Sequence, residues 1–112
     1  MKLETIIESL GLQVKTDGGN LTQKVTGGYV SDLLSDVVAN AEEGNLWVTL
    51  QVHPNIVAVA TLKELSSIVL VNDRQPEKET LGRANGEGIP ILTTERPAFE
   101  LVGELYKLVE GK

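Results

Sequence analysis

The runs Leu46–Leu50, Ser67–Val71 and Ile89–Leu92 set the first constraint on this chain, because each is close to continuously apolar. A strand with one face in water alternates apolar and polar residues, whereas a strand covered on both faces does not. Segments with helical spacing separate the three runs. Strand, helix, strand in that order joins parallel neighbours through right-handed crossovers. The expected fold class is therefore α/β, a three-layer α/β/α arrangement around a mostly parallel sheet. Single domains cluster at ~100–150 residues, so residues 1–112 are expected to form one domain.

The remaining elements follow from periodicity. Leu3, Ile6, Ile7 and Leu10 fall on one face of a helix over 3–10, with Gly11 as its C-cap. Leu12 to Lys15 alternates like a short strand, and Asp17-Gly18-Gly19-Asn20 is a turn cluster. Val25 to Val30 mixes β-formers with a glycine pair. Ser31-Asp32 opens a helical run with Leu33, Leu34, Val37, Val38 and Ala41 on one face, ended by Gly44. Pro54 leads a helix through Leu62 that is apolar nearly all round, which predicts burial on more than one side. Pro76 to Gly88 is a charged helix weakened by Gly82 and Gly86, each costing ~1 kcal/mol relative to alanine. Pro97 starts a last helix with Phe99, Leu101, Val102, Leu105, Tyr106 and Val109 on its apolar face.

Composition removes several functions. There is no cysteine, so disulfides, thiolate metal sites and cysteine nucleophiles are excluded. The single histidine, His53, cannot form a metal site alone, and no metal or cofactor is expected. The net charge of −6 argues against binding a nucleic-acid polymer, whose phosphates need clustered Lys and Arg. Glu4 and Glu8 interrupt any signal-peptide core, and the longest apolar stretch, Ile56 to Leu62, is far short of a bilayer span. The expected setting is cytoplasmic, with no membrane partner.

Ligands of open α/β sheets bind beyond the carboxyl ends of the strands. Applied here, that rule collects Gly27, Gly28, Ser31 and Asp32 after the second strand, and Gln51 and His53 after the third. It adds Asn72, Asp73 and Arg74 after the fourth, and Thr93, Thr94 and Arg96 after the last. The strongest local feature is Thr26-Gly27-Gly28-Tyr29-Val30-Ser31-Asp32. Two glycines permit close backbone approach, and a helix entrance presents free N–H groups to an anion. The competing reading is a tight bend that packs backbone on backbone, with Ser31 as N-cap. Asp32 would repel a bare phosphate; it can accept a ribose hydroxyl or base amine, or complement the helix dipole. His53 is either a general base or a helix-entry residue bonded to backbone. No nucleophile elbow, P-loop or dinucleotide fingerprint is present, and no catalytic residue is assigned.

Thr26-Gly27-Gly28-Tyr29-Val30-Ser31-Asp32-Leu33-Leu34-Ser35-Asp36 resembles the signature of the DRTGG domain family. The similarity continues through Trp47-Val48-Thr49, His53-Pro54-Asn55-Ile56-Val57-Ala58-Val59-Ala60 and Ile68-Val69-Leu70-Val71. Lys24 and Val25 stand where the eponymous Asp and Arg would be. The resemblance implies a three-layer α/β fold similar to the N-terminal domain of HPr kinase/phosphorylase. It also implies a regulatory or dimer-forming role beside CBS domains or enzymes rather than catalysis, with an adenine nucleotide as ligand.

Two functions follow as expectations. One is a stand-alone regulatory module, homodimeric and non-enzymatic, binding an adenine nucleotide or other small anion at Thr26, Gly27, Gly28, Ser31, Asp32 and His53. The other is a ligand-free dimerisation or protein-interaction adaptor acting in trans on a metabolic or signalling enzyme. Its motivation is the apolar Ile56–Leu62 helix, both sides of which one small chain is not expected to cover. A small enzyme using His53 with Asp32 or Asp73 is the least supported reading.

Overall fold

The computed structural model describes residues 1–110. Helix α1 spans Leu3–Leu10, strand β1 Gln13–Val14, β2 Gly27–Val30, α2 Leu34–Asn40, β3 Asn45–Thr49 and α3 Asn55–Leu62. Then come β4 at Ser67–Leu70, α4 at Lys78–Glu87, β5 at Ile91–Thr93 and α5 at Ala98–Glu110. The sheet order is β1-β5-β4-β3-β2. Strands β2 to β5 are mutually parallel, and β1 pairs antiparallel with β5. The fold is the expected mostly parallel α/β type.

Strand residues alternate between two cores, as the pleat requires. Trp47, Ile68, Leu70 and Ile91 face α2, α3 and α4 and pack with Val37, Ile56, Ala60 and Ala84. Leu46, Val48, Val69 and Leu92 face the other side and pack with Leu3, Ile6, Leu101 and Leu105 of α1 and α5. Burial on both faces is why these strands carry no polar alternation.

Helix α3 is the central helix of its layer. It contacts α2 on one flank and α4 on the other, burying Ile56, Val57, Val59 and Ala60. The protein's own helices cover both flanks of α3, so the expected uncovered side is narrowed to its outer face, where Asn55, Ala58, Thr61 and Leu62 are exposed. Helix α4 is continuous through Gly82 and Gly86, both of which face open space. Gly11 caps α1 in the left-handed region at φ 63°.

The entrance to α2 also differs from expectation. Its N-cap is Leu33, not Ser31, and the helix ends at Asn40. Ser31 makes a local turn instead, its hydroxyl accepting the Leu33 N–H at 3.2 Å. Gly44, at φ +83°, belongs to the turn that enters β3.

Candidate functional site

The loops after β2, β3, β4 and β5 share one rim, because those strands are parallel. A crevice opens on such a rim where successive helices leave to opposite faces. Helices α2, α3 and α4 pack on one face and α5 on the other. The reversal therefore lies between the carboxyl ends of β4 and β5. A cleft of about 690 Å³ adjoins it at the end of β5, lined by Thr93, Thr94, Glu95 and Arg96, by Asp73 from the β4 loop, and on its outer side by Leu10 and Gly11 at the end of α1 and Gln13 of β1. That volume falls within the ~300–1,000 Å³ of small-ligand sites.

The floor of the cleft is braced. Asn72 and Asp73 both adopt φ 57°, a left-handed conformation costing ~1–2 kcal/mol per L-residue and best tolerated by Asn and Asp. The two residues thereby turn their N–H groups across the crevice, Asn72 donating to the Arg96 carbonyl at 2.9 Å and Asp73 to the Thr94 carbonyl at 2.8 Å. The Arg96 N–H donates to Thr94 Oγ1 at 3.2 Å. The Arg96 guanidinium lies 2.7 Å from Glu104 of α5. Its contact there is electrostatic rather than an aligned hydrogen bond, since the buried Nη1 has no hydrogen-bond partner. One cation among Asp73, Glu95 and Glu104 makes this a mixed-charge cleft.

The six residues singled out from sequence divide between two places. Thr26, Gly27 and Gly28 stand at the start of β2, not at a helix entrance, so no free helix N–H groups surround them. The Thr26 hydroxyl donates to the Glu43 carbonyl at 2.8 Å and accepts from Asn45 Nδ2 at 3.2 Å, joining the amino ends of β2 and β3. Gly28 lies under α5, where an added Cβ would sit 3.4 Å from Leu105 Cδ2. The close approach made possible by the glycine pair is thus to the protein's own helix.

Ser31, Asp32 and His53 do lie on the rim. Asp32 Oδ1 accepts from Thr49 Oγ1 at 2.8 Å and from the Leu50 N–H at 2.7 Å, which ties the β2 loop to the end of β3. The Ser31 carbonyl accepts the Trp47 indole N–H at 2.8 Å, and the Asp32 carbonyl accepts Gln51 Nε2 at 2.9 Å. Asp32, Asn72 and Ala98 line a separate hollow of only about 60 Å³. His53 is exposed, and its Nδ1 accepts the Asn55 N–H at 3.1 Å, so it acts as a helix-entry residue for α3.

Just behind the rim, Tyr29 donates its hydroxyl to Asp36 Oδ2 at 2.8 Å, and Asn40 Nδ2 donates to Asp36 Oδ1 at 2.9 Å. The Tyr29 bond, followed by that of Ser31, holds the Asp36 carboxyl below its ordinary range; the same bond to Asp36, aided by burial, pushes the Tyr29 phenol up. This network fastens β2 to α2. Asp73, Thr94 and Arg96 were reachable from sequence through the strand-end rule but carry no motif. Among the described residues no group of three His, Cys, Asp or Glu is arranged to hold a metal, and no helix is long and apolar enough to cross a membrane.

No protein-family model matches the chain. No curated protein matches it either. A solved structure does: the CBS and DRTGG domains of the regulatory region of Clostridium perfringens pyrophosphatase, complexed with its activator diadenosine tetraphosphate. The two agree with a TM-score of 0.73 and 19% sequence identity over 98% of this chain. The match spans 46% of the pyrophosphatase chain, so this protein corresponds to about half of that region. The fold is thus DRTGG-like, as the sequence resemblance implies.

Proposed function

We propose that this chain is a regulatory, nucleotide-sensing module of the DRTGG type that is non-catalytic and homodimeric. The observation that carries the reading is that 98% of the chain adopts the fold of a regulatory region captured with diadenosine tetraphosphate. The ligand class is an adenine nucleotide, bound at the carboxyl rim. Its phosphates lie at the β4–β5 cleft against Arg96 and the Thr94 hydroxyl. Asp73 and Glu95 flank that cation, so a polyphosphate is taken up as its magnesium complex. Ser31, Asp32 and His53, on the same rim, contact ribose or base. The contribution of Thr26, Gly27 and Gly28 is to build the β2 edge.

Isothermal titration calorimetry with diadenosine tetraphosphate and with ATP, each with magnesium, tests this. Saturable heat that is lost in Arg96→Gln supports the site. Absence of heat with either nucleotide overturns the sensing function, and equal binding by Arg96→Gln overturns the placement. A second reading, a ligand-free dimerisation adaptor acting on another protein, is favoured by the exposed apolar strip beside β2, where Val30 and Tyr106 are 48% and 67% accessible. A dimer without nucleotide response selects that reading.

A further inference from the structure

We propose that two copies of this chain join edge to edge through β2, in an antiparallel register centred on Tyr29, with Val30 of each copy seated beside Gly28 of the other. The proposal rests on the homodimeric reading above and assigns it a surface. Strand β2 is one edge of the sheet. Natural edges are blunted by shortness, charge or proline. The other edge, β1, is two residues long and runs into Lys15. The sequence of β2, Gly27-Gly28-Tyr29-Val30, carries neither charge nor proline.

The ladder fixes which backbone groups are available. The Ser31 N–H bonds the Val48 carbonyl, and alternation along a parallel pair then turns residues 27, 29 and 31 toward β3. The N–H and C=O groups of Gly28 and Val30 point away from the sheet. An antiparallel second β2 satisfies them when Gly28 of each copy faces Val30 of the other and Tyr29 meets Tyr29 on the twofold axis. A register centred on Gly28 runs the second strand into the N-terminal segment, where the Met1 carbonyl already accepts the Val25 N–H at 2.8 Å. A register centred on Val30 sets Gly28 against Asp32, beyond the end of the strand.

Side chains select the same register. Gly28, Val30, Val102, Leu105, Tyr106 and Val109, with Glu110 at its margin, border a largely apolar groove of about 110 Å³ between β2 and α5. Leu105 packs down on Gly28, 3.4 Å from where a Cβ would stand, so the groove opens at the outer side of the glycine. In the Tyr29-centred register Val30 of the second copy lies beside that glycine and enters the groove against Leu105 and this copy's Val30, and Tyr106 closes over it. Knob and hole therefore lie two residues apart on one strand, which is the self-complementarity a twofold interface requires.

The absence of cysteine makes the test clean. Cα atoms of a non-hydrogen-bonded antiparallel pair lie ~4.5 Å apart, inside the ~4.4–6.8 Å range of disulfides. Light scattering of the wild type at micromolar concentration is expected to give twice the 12.1 kDa chain mass. Tyr29→Cys should cross-link to a covalent dimer on mild oxidation, whereas Leu62→Cys, at an exposed position on the outer face of α3, should not. Val30→Asp, at an exposed position, should give a monomer with an unchanged circular dichroism spectrum. A dimer that persists in Val30→Asp, with Tyr29→Cys uncrosslinked, refutes this surface and leaves the homodimer standing. A monomeric wild type refutes both.

Discussion

Gly44→Ala is the sharpest probe of what Thr26 does. Gly44 adopts φ +83°, and a Cβ built there lies 2.6 Å from Thr26 Cγ2 and 2.9 Å from Thr26 Oγ1. The left-handed backbone alone costs an L-residue ~1–2 kcal/mol. Relief of the clash requires Thr26 to rotate, which breaks its bonds to Glu43 and Asn45, each worth ~0.5–1.5 kcal/mol. Reduced freedom of the unfolded chain returns ~0.4–1 kcal/mol. The net expectation is a loss of roughly 2–3 kcal/mol, or about 10–15 °C in Tm for a domain of this size. The assay is urea unfolding followed by circular dichroism, in a cycle with Thr26→Ala. Once the threonine methyl and hydroxyl are gone, Gly44→Ala should cost only the backbone term, giving a coupling of roughly 1–2 kcal/mol. A coupling near zero would show that Thr26 does not clasp this turn, and would reopen a ligand role for its hydroxyl.

Trp47→Phe removes the fully buried indole that donates to the Ser31 carbonyl; it should cost roughly 2–4 kcal/mol by urea midpoint, part bond and part cavity. Tyr29→Phe should change the pH profile of stability at both ends. The Asp36 carboxyl is held low in the folded state by Tyr29 first. Its stabilisation is therefore present above the unfolded carboxylate value, ~3.9, and is lost as pH falls through the lowered folded value. The Tyr29 phenol is raised by Asp36, so its stabilisation is present below ~10 and lost as pH rises through the raised value. Urea midpoints across pH should show both slopes in the wild type and neither at full size in Tyr29→Phe.

Much of the fold was legible because burial on two faces leaves a direct trace. Val48 and Val69 cannot be exchanged for polar residues when one helix layer lies above and another below, so the strand runs announce the sheet. The glycine pair was the misleading feature. Glycine reads locally as a bend, and Ser31-Asp32 reads as the start of a helix. Gly28 is instead a strand residue kept small by Leu105, which lies 77 positions later in the chain. A contact over that separation leaves no local signal. The same holds for α3, whose all-round apolarity is compatible with an external partner or with α2 and α4. His53 is chemically ambiguous until its Nδ1 is seen to accept the Asn55 N–H. The rim residues Asp73, Thr94 and Arg96 looked like any polar loop. Only the departure of α5 to the opposite face distinguishes their crevice from its neighbours.

The assembly edge and the ligand rim meet in one segment. Strand β2 ends at Val30, and the next two residues hold Trp47, Thr49, Leu50 and Gln51 through Ser31 and Asp32. The β4–β5 crevice, by contrast, is two to three strands away, or ~10–14 Å at ~4.8 Å per strand. A nucleotide held only by Arg96 and Thr94 therefore does not touch the dimer edge, whereas one long enough to reach Asp32 does. Linkage then makes a reciprocal demand: if the nucleotide changes dimer affinity by some factor, dimerisation changes nucleotide affinity by the same factor. AMP is expected to leave the dimer dissociation constant unchanged in sedimentation velocity, and diadenosine tetraphosphate to shift it. The shift should vanish in Asp32→Asn, whose amide oxygen keeps the bonds from Thr49 and Leu50 but whose charge is gone. Equal shifts with both nucleotides, or a shift that survives Asp32→Asn, would place the coupling elsewhere than in this shared segment.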